Sequence, residues 1–452
     1  MSSQVEPVDE MMPWYRLIFM ALQHVLVLYA GAVVPPLIVG GAMKLSPDQM
    51  ALLINADLFA GGVITLVQTL GLWKLGARLP VMMGVSFVSV GPMIAMAANP
   101  DIGITGIYGS VIAGGLFGML LAPVMTRLLR YFPAVVSGSI ILLLGISIVP
   151  IGINWAGGGV GSANFGDPVN LLICAGVLAL IVSLQRFGMG FVRNTSVLIG
   201  IGAGYLVCVA LGKVSFDSVA HAPWVGLVMP FQFGLPTFHL GAVLSMCIVM
   251  TVVLVESTGM FLAVGDIVGR PMTPHTMTRA LMADGAGAVF GGIFNTFPYT
   301  SFTQNIGLLT ITGVKSRYVC AMGGALMVGL GLLPKLAHVI ASIPMYVLGG
   351  AGVVMFGLVI AAGVRMLSSV DFTGNRNNQL IVAISGAMAM VPLVAPTMFS
   401  HFPHWLAPIT HSGILLGAVS AFVLNLYLNG AGSCEDAAVS ARHTAVANGM
   451  EG

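Results

Sequence analysis

Apolar runs long enough to cross a membrane follow one another along almost the whole chain, separated by short polar connections. A helix needs about 20 apolar residues to span a bilayer. On that scale the pattern divides into fourteen segments: 14–39, 49–73, 80–97, 103–128, 133–153, 169–186, 196–211, 239–264, 279–294, 301–312, 317–340, 346–366, 379–394 and 408–428. Segments three and ten are short. Gly84, Gly91 and Pro92 interrupt the first; Pro298 precedes the second and Gly307 breaks it. They hold the same place in the two halves, and short interrupted segments in corresponding positions point to the site of a transporter. A second echo runs between FPAVVSG at 132–138 and IPMYVLG at 343–349. Seven segments per half force the halves to insert in opposite orientation. The expected class is therefore an all-α polytopic membrane protein, two inverted seven-segment repeats with discontinuous segments three and ten.

Composition and charge agree. Of 452 residues, 57% are hydrophobic and 7% charged, against about 25% charged in soluble proteins. With the N-terminus inside, fourteen Lys and Arg fall in cytoplasmic segments and only Lys44, Lys213 and Lys335 outside. That partition obeys the positive-inside rule and places both termini in the cytoplasm, with the chain in the inner membrane. The stretch before Trp14 is short and acidic (Glu6, Asp9, Glu10), so no cleaved leader is expected. Five scattered cysteines lack CxxC spacing and read as packing residues, with neither a disulfide framework nor a metal site. No P-loop, dinucleotide fingerprint or HExxH motif appears, and no basic stripe suits nucleic acid. We expect neither an enzyme nor a primary pump, and no cofactor.

Polar groups inside apolar sequence carry the chemistry. Glu256, Asp284 and the pair Gln304-Asn305 lie within segments eight to ten. A carboxylate at bilayer depth costs roughly 2.5–3.5 kcal/mol even on lenient scales, so it faces a cavity, a partner or a substrate. Carboxamides offer donor and acceptor together, which suits the edge of a planar heterocycle, although they also tie helices to one another. A broken segment frees backbone N–H groups that only a polar cavity tolerates. Ser86 and Phe87 stand at such a break in segment three, facing segment ten across the pseudo-symmetry, where the ring of Phe87 could stack on a ligand. His24 in segment one and Asp57 in segment two are buried polar residues open to structural or functional roles, and Tyr299 either gates or packs.

Gln304, Asn305, Gly307, Thr312 and Gly313 match the signature Q-N-x-G-x-x-x-x-T-G. With QHVLVLYAG, MGVSFVSVGPM, ESTGMFLAVGDIVGR and VLGGAGVVMFGLV, the chain resembles the nucleobase–ascorbate transporter family over nearly its whole length. Within the family it is most similar to bacterial uric acid transporters, with xanthine permeases next. The resemblance implies a core domain (14–131 and 239–342) and a gate domain (132–238 and 343–430), between a cytoplasmic N-terminus (1–13) and a disordered tail (431–452). It implies a homodimer in the lipid bilayer that imports a purine, uric acid and also xanthine, by an elevator-like motion. The proton gradient would be the energy source. The alternatives are a permease selective for xanthine or another nucleobase, or an anion exchanger of similar architecture. Substrate binding would fall to Glu256, Gln304, Ser86, Phe87, Asn305 and His24. Asp284, with Glu256, would carry the coupled proton or support the site. Serine rather than threonine at position 86 would widen tolerance toward xanthine.

Overall fold

Helix starts are written locally and the packing follows from them. The computed structural model describes residues 6–302 and 304–433, without the side chains of Gln304 and Ile311. Most of the tail expected to be disordered lies outside the described residues. The principal elements are α1 (Trp14–Ala42), α2 (Pro47–Leu70), β1 (Met83–Val85), α3 (Val90–Ala97), α4 (Gly103–Leu121), α5 (Ala134–Ala156), α6 (Pro168–Phe187), α7 (Ser196–Ala210), α8 (Leu240–Val268), α9 (Pro274–Ile293), β2 (Tyr299–Ser301), α10 (Gln304–Thr312), α11 (Arg317–Gly331), α12 (Met345–Ser368), α13 (Asn377–Val394) and α14 (Gly413–Leu428). Ser46 and Gln49 close a capping box on α2. Thr273 and Ser316 cap α9 and α11, and Pro follows the cap of α2 and α9.

Among the described residues, eight helices are long and apolar enough to cross a membrane. The count is ten when two bent pairs are each taken as one span: Arg317–Gly331 with Pro334–Ala341, bent by 80°, and His404–Thr410 with Gly413–Leu428, bent by 79°. Expected segments three, seven, nine and ten are not among them. Three of these are short helices, and α9 carries Arg279 and Asp284.

The all-α expectation misses one element. Segments three and ten each enter as a strand, and β1 pairs antiparallel with β2 in the register Met83↔Ser301, Gly84↔Thr300, Val85↔Tyr299. The ladder continues through Ser86 N–H to the Pro298 carbonyl and Phe302 N–H to the Met82 carbonyl, both at 2.9 Å. The backbone groups freed by the breaks thus satisfy one another, and from this ribbon α3 and α10 depart.

Helix contacts repeat across the halves. α2 packs on α11 as α9 packs on α4, and α1 meets α11 as α8 meets α4. A second set joins α5–α7 to α12–α14, with α5 against α12. Glycines set the closest approaches. A Cβ at Gly62 would stand 2.5 Å from the Gly324 carbonyl, and one at Gly115 would stand 2.7 Å from that of Gly285. Small residues let membrane helices touch backbone to backbone, and here they do so at two equivalent crossings.

The acidic residues before Trp14 are bound at the membrane edge. Asp9 accepts from Arg317 Nε at 2.5 Å, Ser316 Oγ donates to the Glu10 carbonyl at 2.6 Å, and Val8 is buried. Arg317 also donates to the carbonyls of Thr69 and Leu70 at the end of α2.

Candidate functional site

A cavity of about 190 Å³ lies where the β1–β2 ribbon, α1 and α8 face α5, α7 and α12. Its walls are mostly apolar: Leu26, Val27, Ala30, Val85, Val88, Ile141, Leu144, Met355 and Val359. Glu256 is the one ionisable side chain among the described residues that line it. It projects from the middle of α8, half-buried, and the described residues give it no hydrogen-bond partner. Thr300, Ser301 and Phe302 line the same hollow from β2.

Two rings border it from opposite sides. Phe87, at the start of the helical turn after β1, meets Phe356 of α12 edge-on, with centroids 6.4 Å apart. The Phe302 ring occupies space that two glycines leave open: a Cβ at Gly31 would stand 2.8 Å from it, and one at Gly84 would stand 3.2 Å away. The N–H of Phe87 has no acceptor among the described residues.

Of the residues expected to bind substrate, Glu256 and Phe87 line the cavity and four do not have their side chains shown there. Ser86 is turned inward: its hydroxyl accepts from Val88 N–H at 3.3 Å and caps the turn it begins. His24 and Asn305 are hydrogen-bonded to each other, and Asn305 Nδ2 donates to the Pro80 carbonyl at 2.9 Å. These two tie α1, α10 and the approach to β1 together. Gln304 opens α10, two residues beyond the cavity-lining Phe302, and its side chain lies outside the described residues.

Asp284 is fully buried behind the cavity wall. Its Oδ1 accepts from Gln68 Nε2 at 3.1 Å, and its Oδ2 has no partner. Gln68 in turn donates to the Ala280 carbonyl and accepts from Ala77 N–H. Asp57 is explained by packing: its carboxylate accepts from Tyr299 at 2.8 Å and from Thr296 at 3.1 Å. Tyr299 therefore anchors the loop before β2 to α2.

Sequence reasoning passed over Thr300, Ser301, Phe302 and Phe356, and the polar threshold of Gln185, Asn194 and Thr195 between α6 and α7. The first three stand immediately before the Gln-Asn pair, where strand alternation around Pro298 would have pointed to them. Phe356 carries no such signal, because its place at the cavity depends on how α12 docks.

The model of a permease family (Xan_ur_permease) matches residues 15–398. The chain is 46% identical to the uric acid transporter UacT of Escherichia coli, over 94% of this chain and 88% of that protein. It is 43% identical to the xanthine permease of Bacillus subtilis, over 91% and 93% respectively. Among solved structures, the transmembrane domain of the cyanobacterial bicarbonate transporter BicA superposes with a TM-score of 0.60 at 14% identity. That superposition covers 93% of this chain and all of that one, a likeness of fold alone.

Proposed function

This chain belongs to the nucleobase–ascorbate transporter family of permeases, and we propose that it imports a purine, uric acid and also xanthine, by proton symport with an elevator-like alternation of access. It is a multi-pass membrane permease, not an enzyme. The relatives' names support the purine. The observation that carries the reading is Glu256, a carboxyl without a hydrogen-bond partner among the described residues, in a small and mostly apolar cavity.

A purine brings what this cavity lacks. Ring N–H groups donate to Glu256, a carbonyl accepts from the free N–H of Phe87, and the flat faces meet Phe87, Phe302 and Phe356. Helix N-termini direct positive dipole ends toward such a carbonyl. Gln304 completes the recognition as a carboxamide on the purine edge. A cationic site of the kind an anion exchanger needs has no support here, because no Lys or Arg lines the cavity among the described residues.

Transport requires differential affinity between two states. The cavity runs between the set α1–α4 with α8–α11 and the set α5–α7 with α12–α14. In this reading the first is the moving core and the second the gate. The wall includes Gln185, Asn194 and Thr195, which charge partition assigns to the cytoplasmic side, so the state described opens inward. Asp284 or Glu256 carries the proton. The working unit is a homodimer in the inner membrane, with both termini in the cytoplasm.

Uptake of radiolabelled urate in cells, in competition with xanthine, uracil and ascorbate and with or without a protonophore, tests this. Concentrative urate uptake, inhibited by xanthine and lost with the protonophore, is the expected result. Uptake indifferent to the gradient would remove symport; indifference to purines would remove the substrate assignment.

A further inference from the structure

Ser257 follows Glu256 on α8 but turns to the other side of the wall. Its hydroxyl is 3.0 Å from Thr300 Oγ1, in the buried ribbon strand β2. Thr300 lines the cavity. Ser257 also neighbours the carboxyl of Asp284, whose Oδ1 is held by Gln68 and whose buried Oδ2 has no hydrogen-bond partner among the described residues. Ser257 is therefore a neighbour both of a buried carboxyl and of a hydroxyl on the wall of the cavity. Among the charged and titratable groups facing Asp284, α8 contributes Glu256, and α2 offers only the neutral Gln68.

We propose that Ser257 is a positioning residue that passes the protonation state of Asp284 to Thr300 and so sets whether Thr300 offers the cavity a donor or an acceptor. This rests on the proton-symport reading above. Each hydroxyl has one hydrogen and accepts at its lone pairs. With Asp284 protonated, its O–H donates to Ser257, Ser257 donates to Thr300, and the Thr300 hydrogen is free to meet a purine carbonyl. With the proton released to water, Ser257 donates to the carboxylate and Thr300 donates to Ser257. Thr300 then presents only lone pairs, which repel a carbonyl. The proton leaves by the same route: Asp284 gives its hydrogen to Ser257, Ser257 gives its own to Thr300, and Thr300 gives its own to water in the cavity, so three O–H bonds break and three form. A carboxylate oxygen left buried without a donor is unfavourable, so the two hydroxyls reverse as a unit. Proton and purine then bind cooperatively, and each strengthens the other by the same factor.

The test is equilibrium binding of radiolabelled xanthine to purified full-length protein at mildly acid and mildly alkaline pH. Proton uptake on xanthine addition is followed in weakly buffered solution. The expected wild-type result is tighter binding at acid pH by about fivefold or more, with proton uptake. Ser257→Ala and Thr300→Val should still bind but with that difference and the uptake lost, while Ser257→Thr and Thr300→Ser, which keep the hydroxyls, restore both. Wild-type pH dependence and proton uptake persisting in Ser257→Ala or Thr300→Val would overturn the relay and leave symport standing. A wild type with neither would overturn relay and symport together. Failure of the hydroxyl-retaining variants to rescue would reduce Ser257 to packing.

Discussion

The His24 imidazole donates from Nδ1 to the Asn305 carboxamide, across 281 residues of sequence. Because the other end of that carboxamide donates to the Pro80 carbonyl, the bond fixes both the histidine tautomer and the docking of α10. Truncating one partner leaves a buried polar atom unsatisfied, at about 1–3 kcal/mol. His24→Ala should lower melting temperature and membrane abundance, with the urate KM of the surviving protein unchanged. Thermal stability in detergent and uptake normalised to protein check this; a raised KM without loss of stability would return His24 to the binding site.

Glu256 differs in lining the cavity with no hydrogen-bond partner among the described residues. Glu256→Gln removes a charged acceptor while keeping shape. A hydrogen bond to a charged group contributes about 1.5–3 kcal/mol, so urate affinity should fall by about ten- to 150-fold, with normal insertion. Undiminished uptake by Glu256→Gln would remove this residue from the site.

Neighbouring positions 86 and 87 should behave oppositely. Ser86 caps its own turn and Phe87 borders the cavity. Threonine also caps, so Ser86→Thr should leave the urate-to-xanthine uptake ratio unchanged, against the expectation from sequence. Phe87→Ala removes an aromatic pair worth about 0.5–1.5 kcal/mol beyond its buried area and should raise KM for both purines. A ratio moved by Ser86→Thr would show that the hydroxyl does reach the ligand.

Tyr299 donates to the Asp57 carboxylate at 2.8 Å and fixes the loop leading into β2. Tyr299→Phe leaves a buried carboxylate short of one donor, and a loss of about 1–3 kcal/mol follows. Thermal unfolding should report it, with purine selectivity retained. A changed selectivity at wild-type stability would contradict a purely structural tie.

Arg317 joins the segment before Trp14 to the end of α2. Arg317→Ala frees two helix-terminal carbonyls, leaves Asp9 only its longer ion pair with Arg270 at 3.9 Å and should lower the melting temperature by a few degrees. It should also open the chain before Trp14 to protease added to the purified protein in detergent. Protection equal to wild type would mean that the other contacts suffice.

Sequence by itself determined what depends on composition and period. Apolar run length makes this a membrane protein, interrupted runs at 80–97 and 301–312 mark the breaks, and the carboxyl at 256 inside an apolar helix is one that lines the cavity. The Gln-Asn signature fixed the family. Only the tertiary structure decided which side of each element faces the hollow. Ser86 and Phe87 are adjacent, yet one turns into the cap and the other to the cavity. Asn305 looked like a ligand and is consumed by His24; Phe356 carries no sequence signal and reaches the cavity through the docking of α12 on α5. The strand pair was illegible for the same reason. Three residues per strand are too few to show a period, and their pairing exists because two broken segments, over two hundred residues apart, leave backbone groups with few other partners in an apolar surround, the Thr65 hydroxyl beneath Met83 N–H being one.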